Sequence, residues 1–139
     1  MTDWTISTDL ARVQLDVVYP WLRASYWSPG VRREIVERAF ANSVVAGAYV
    51  GARQVGVARV ATDRATFAWL ADVYVDEAAR GRGIASALVR ALLDHPELQT
   101  VRRWSLGTRD AHEVYRRLGF TQVDARIFMQ YLPDPARWT

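Results

Sequence analysis

The chain has 139 residues, 50% of them hydrophobic and 24% charged, with a formal net charge of +3. That is the balance of a single globular domain, residues 1–139, with length enough for its own core. It contains no cysteine and no lysine, which excludes thiol nucleophiles, cysteine-held metals, Schiff-base chemistry and the phosphate lysine of nucleotide-binding loops.

The 18 arginines are interleaved with 15 acids rather than gathered into a stripe, so no nucleic-acid partner is expected. Only His95 and His112 offer imidazole, and no ligand spacing surrounds them, so no metal is expected. No apolar run reaches the ~18 residues of a membrane span. The opening residues lack the basic start and apolar stretch of a signal peptide, so a cytoplasmic location is expected.

In chain order, residues 5–8 read as a short first strand. Over 15–25, Leu15, Val18, Tyr19 and Leu22 have helical spacing, with Pro20 bending or starting part of the helix. The aromatic break Tyr26-Trp27-Ser28-Pro29-Gly30 precedes a second helix over 31–41, with Val31, Ile35, Ala39 and Phe40 on its apolar side. Strands over 44–50 and 55–62 flank a turn at 51–54, and a turn at 63–66 leads into a strand over 67–75. That strand is nearly continuous in apolar character, as expected for cover on both faces, with Phe67 and Trp69 in the core. A helix over 83–94 buries Ile84, Leu88, Val89 and Leu92. A strand over 104–108, a helix over 110–118 and a closing strand over 127–132 complete an α+β (mixed α/β) pattern. The apolar last strand and Trp138 are surfaces on which a homodimer could form.

The segment Asp76-Glu77-Ala78-Ala79-Arg80-Gly81-Arg82-Gly83-Ile84-Ala85-Ser86 carries the chemistry. A buried strand ends, and a helix opens on two glycines. The first turn of a helix has unpaired N–H groups and the positive end of the dipole. Glycines let several N–H groups converge on one anion, and Arg80 and Arg82 add charge. A diphosphate fits such a nest; the alternative is a bare turn. A dinucleotide fold fits poorly, because its first glycine should follow the strand closely within a βαβ unit.

Arg80-Gly81-Arg82-Gly83-Ile84-Ala85 resembles the (Gln/Arg)-x-x-Gly-x-(Gly/Ala) motif of the GNAT superfamily of acetyl-coenzyme-A-dependent N-acetyltransferases. A second block, from Thr108 through Ala111 and Tyr115 to Gly119-Phe120, resembles that family's Asn-x-x-Ala-x-x-x-Tyr-x-x-x-Gly-Phe signature, with Thr108 in place of asparagine. The resemblance runs from about residue 15 to 132. It implies a twisted, mostly antiparallel sheet of about six to seven strands with a splayed parallel pair, flanked by about four helices.

The resemblance also implies acetyl-coenzyme A as cofactor, bound by Val73, Tyr74, Val75, Arg80, Gly81, Arg82, Gly83, Ile84, Ala85, Ser86, Thr108, His112 and Tyr115. The pantetheine arm would pair with Val73 to Val75 like an added strand, and the Val73 N–H would stabilise the oxyanion. Tyr115 would be the general acid, although its place in the stripe Ala111, Val114, Tyr115, Leu118 also suits a core residue. Asp72 is either the general base or a residue that bonds nearby backbone or substrate. Tyr26 and Trp27 would line the pocket of the acceptor, a small-molecule or peptide amine, or else belong to the core. The implied activity is acetyl transfer to a primary amine by direct attack in a ternary complex. The alternative is a non-catalytic coenzyme-A-binding module of the same fold.

Overall fold

The computed structural model describes residues 3–139. Five strands form one sheet in the order β1-β2-β3-β4-β5: β1 (Thr5–Ser7), β2 (Val44–Val50), β3 (Arg53–Thr62), β4 (Phe67–Val75) and β5 (Arg103–Ser105). The first three pairings are antiparallel, and β4 with β5 is parallel. Four α-helices accompany them: α1 (Leu15–Arg23), α2 (Arg33–Ala41), α3 (Ile84–Leu93) and α4 (His112–Arg117).

Three layers result. On one face, the α3 stripe Ile84, Leu88, Val89 and Leu92 is buried against Ala46, Ala48, Ala58, Val60, Ala68 and Leu70 of β2 to β4. The helix comes close because Gly56 lacks a side chain. A Cβ there would stand 3.2 Å from both Ile84 and Leu88. On the other face, Val18 and Leu22 of α1 and Val36 and Phe40 of α2 close over Val45 and Val57. Gln14 and the fully buried Gln54 exchange backbone-to-side-chain bonds of 2.7 and 3.0 Å, tying the start of α1 to β3. No helix among the described residues is long and apolar enough to cross a membrane.

Two features of this frame create the site. The parallel pairing of β4 with β5 covers only Phe67 to Trp69, so the rest of β4 parts from β5 and leaves an open edge. Against β3, Tyr74 pairs with Val57 and Ala71 with Arg59, so β4 carries one extra residue between them. The bulge is marked by Asp72, whose φ is +55°. Bulges of this kind bend a strand and re-aim its groups.

Three expectations are corrected. Residues 127–132 form no strand: a single turn of 3-10 helix over Ala125–Ile127 is followed by irregular chain, leaving five strands rather than six to seven. Asp124 accepts from the Arg126 N–H at 3.0 Å, which winds the turn, and β5 offers an edge only three residues long. Ile127, Met129, Tyr131 and Leu132 are exposed in consequence. Phe67 and Trp69 are not core: they are 42% and 43% exposed, while Ala68 and Leu70 between them are buried. The start of β4 is covered on one face only, and the alternation was masked by apolar residues on both faces. The strand expected over 104–108 ends at Ser105.

Candidate active site

Val73, Tyr74, Val75, Arg80, Gly81, Gly83, Ile84, Ala85 and Ser86 line one cleft of about 630 Å³ between the free edge of β4 and the start of α3. Tyr26 and Trp27, from the loop between α1 and α2, line it too. Both are exposed beyond 40%, which removes the core alternative for them.

The cradle at the head of α3 depends on its glycines. Gly81 and Gly83 have φ of +80° and +81°, a region that side chains with a Cβ rarely enter. A Cβ at either would meet nothing within 4 Å, so the space above them is open. The first intrahelical bond runs from the Ala87 N–H to the Gly83 carbonyl at 3.1 Å. The N–H groups of Ile84, Ala85 and Ser86 therefore precede the helical ladder. Arg80 is held beside them: its Nε–H donates to the Val75 carbonyl at 2.9 Å, and its guanidinium lies 5.2 Å from the Tyr74 ring centroid. Arg82 does not line the cleft. It reaches Asp3 at 3.1 Å on the surface.

The far wall was not foreseen. Asp110, Val114 and Arg117 bring α4 and its leading turn to the same cleft. Their i, i+4, i+7 spacing was a readable signal, but it competed with the apolar stripe beside it. Arg117 has no carboxylate within salt-bridge distance among the described residues, whereas neighbouring Arg116 pairs with Glu113 and also bonds Gln122.

Thr108, His112 and Tyr115 lie on the opposite side of α4, in a second cavity of about 660 Å³ that Trp69, Trp104 and Phe120 also line. The Thr108 hydroxyl accepts the Ala111 N–H at 3.0 Å and so helps start α4. Tyr115 packs edge-on against Phe120 with ring centroids 5.9 Å apart. Burial pushes its hydroxyl above the usual phenol value, with a smaller push from Tyr26. The group therefore keeps its proton throughout the neutral range. Tyr26 bridges the two halves of the chain. Its hydroxyl accepts the Arg109 N–H at 3.1 Å, and the Arg109 guanidinium lies 3.9 Å from its ring centroid.

Asp72 is not a free carboxylate. Oδ2 accepts from Arg59 Nε at 2.5 Å and Oδ1 from Trp27 Nε1 at 2.8 Å. Among the described residues, no group of three or more His, Asp or Glu is placed to hold a metal ion.

A family profile described as an acetyltransferase (GNAT) domain matches residues 41–122. A crystal structure of a protein assigned to the GNAT acetyltransferases, from Xanthomonas campestris pv. campestris, shares 39% identity over 96% of each chain, with a TM-score of 0.89. A GNAT-family acetyltransferase from Elizabethkingia anophelis with acetyl-CoA bound shares the fold at 16% identity, over 89% of this chain and 80% of that one, TM-score 0.69. Glucosamine-6-phosphate N-acetyltransferase from Arabidopsis thaliana does so at 16% identity, over 96% of this chain and 100% of that one, TM-score 0.68. No curated protein sequence matches the chain. The profile spans more than half of the chain, and the Xanthomonas relative extends over nearly all of it: the chain belongs to the GNAT acetyltransferase family.

Proposed function

We propose that this protein transfers an acetyl group from acetyl-coenzyme A to a primary amine, by direct attack while both substrates are bound. The observation that carries the reading is the single cleft in which a bulged, unpaired strand edge meets a glycine cradle and two arginines. The residues fit the donor. The positive-φ glycines leave open space at a helix start, and Arg80 and Arg117 supply charge for a diphosphate.

Acetyl-coenzyme A supplies an activated thioester to the reaction. The chain's own groups would do the rest. The main chain of Val73 to Val75, without a β5 partner, is free to bond an extended arm, and the Val73 N–H would donate to a developing oxyanion. Tyr115 lines the neighbouring cavity, but its hydroxyl feels that of Tyr26, which lines the cleft, and from there it would meet a departing thiolate. Because its hydroxyl is pushed above the usual value, it stabilises that thiolate by sharing the proton more than by giving it up. Tyr26 and Trp27 would face the amine.

The test is release of coenzyme A thiol from acetyl-coenzyme A in the presence of a panel of primary amines: an arylalkylamine, a polyamine, an amino sugar phosphate and a lysyl peptide. Turnover with one of them, lost in Tyr115→Phe while acetyl-coenzyme A still binds, supports the reading. Tight binding without turnover on any amine would favour a non-catalytic coenzyme-A-binding module. One observation leans that way: the acid nearest the bulge, Asp72, is already ion-paired.

A further inference from the structure

Asp72 lies in the middle of an apolar strand, in a backbone conformation that side chains rarely adopt, and both of its oxygens are engaged. The engagement is built from three directions. Arg59 comes from β3, and a second guanidinium nitrogen, Nη1, donates to the Ser43 hydroxyl at 3.2 Å. That hydroxyl donates in turn to the Ala39 carbonyl near the end of α2 at 2.6 Å. The Arg59 and Asp72 side chains are only 19% and 10% exposed, so water screens the pair far less than it would a surface pair. Trp27 lies 45 residues away in the loop between α1 and α2 and is 42% exposed. It is held by the Asp72 bond and by edge contact with Tyr26 at 5.0 Å.

A carboxylate with both oxygens already accepting from fixed partners is a good anchor. We propose that Arg59, Asp72 and Trp27 form a positioning chain: Arg59 fixes the Asp72 carboxylate, and Asp72 fixes the Trp27 indole as the acceptor-side wall of the cleft. Asp72 then takes no proton from the amine, which loses its proton to solvent. The assignment rests on the acetyl-transfer reading for the word acceptor, but its structural half does not. Asp72 and Arg59 are positioning residues; Trp27 is the group that meets substrate.

Two measurements test it. In ¹⁵N-labelled protein, the Trp27 indole N–H signal is identified by its loss in Trp27→Phe. In Arg59→Met the signal should shift and exchange with water several-fold faster, although Arg59 does not contact the indole. An unchanged signal overturns the chain of contacts. In steady-state kinetics with whichever panel amine turns over, Trp27→Phe and Arg59→Met should each raise the amine KM roughly tenfold, the usual scale of one lost charge-assisted bond. The double variant should add little, and kcat and the acetyl-coenzyme A affinity should stay within about threefold.

Asp72→Asn suits the left-handed backbone, so the bulge survives in it. It should keep the shape of the pH–rate profile and most of kcat. A fall in kcat of about 100-fold or more with one limb of the profile lost would make Asp72 the general base and overturn the proposal. Trp27→Phe alters an exposed loop residue and serves if Arg59→Met fails to fold. If acetyl-coenzyme A does not bind the wild type, the transfer reading falls, while the indole signal still decides whether Arg59 positions Trp27.

Discussion

The two cavities that flank α4 are made in different ways. The cleft beside α3 is built largely from backbone: a strand edge freed of its partner, a bulge, two glycines at positive φ and a helix start. It rests on β2, β3, β4 and α3, which hold most of the buried residues. The cavity beyond α4 is built from side chains, among them Trp69, Trp104, Tyr115 and Phe120, in a region where no residue from 101 to 139 is buried. Recognition of a constant donor suits the first construction, because main-chain groups on a packed scaffold are hard to change. Side chains on a lightly packed frame can change freely, so the second cavity is the more variable of the two.

Mutations can break or sharpen this contrast. The largest effect is expected across the dividing helix. Tyr115→Phe should lower turnover about 10²–10³-fold while leaving acetyl-coenzyme A affinity within about twofold, as measured by thiol release and calorimetry. A matched loss of donor affinity would put Tyr115 in the donor cleft and erase the division. Next comes packing. Leu88→Ala, at a fully buried position of α3, should cost about 2–5 kcal/mol in denaturant unfolding. Val123→Ala, at a 64% exposed position, should cost no more than about 0.5 kcal/mol. Similar costs would mean that the two regions are equally packed.

A smaller effect separates two adjacent arginines. Arg117→Ala should weaken acetyl-coenzyme A binding roughly tenfold, and Arg116→Ala should leave it unchanged, since only Arg117 lines the donor cleft.

The smallest effect concerns the turn leading into β4. Asp63 is held well below the ordinary carboxylate range, first by the Thr66 hydroxyl and then by the N–H groups of Thr66, Ala65 and Phe67. A depressed carboxylate contributes stability above its unfolded value of about 4 and loses it as pH falls further. Thermal unfolding should therefore show Asp63→Ala a few degrees less stable than wild type at pH 6. The gap should narrow toward pH 2.

The same division explains what the sequence makes legible. The cleft beside α3 is written in local signals: glycines flanking a helix start, and a strand whose bounds, 67–75, are readable because Asp63-Arg64-Ala65-Thr66 ends the one before it. Other features depend on contacts remote in sequence. The anchoring of Asp72 requires Arg59 across a bulge and Trp27 from another layer, and one aspartate in an apolar strand does not reveal which partners it meets. The apolar run 127–132 has strand composition, but a strand needs an edge to pair with, and β5 supplies three residues. Exposure of Trp69 follows from which face of β4 the helices reach, a property of the assembled layers. That Arg117 rather than Arg116 faces the cleft beside α3 depends on the rotation of α4, which neighbouring arginines do not reveal.

The central claim is that the donor site is the backbone cradle of Arg80 to Ser86 beside the open edge of β4. Calorimetric titration of acetyl-coenzyme A into wild type and Gly83→Glu tests it most directly. The account predicts micromolar binding to the wild type. In the variant, which places a negative side chain on a φ of +81° at the helix start, binding should weaken by about 100-fold or more. Undiminished binding in a folded Gly83→Glu, or none in the wild type, would contradict it.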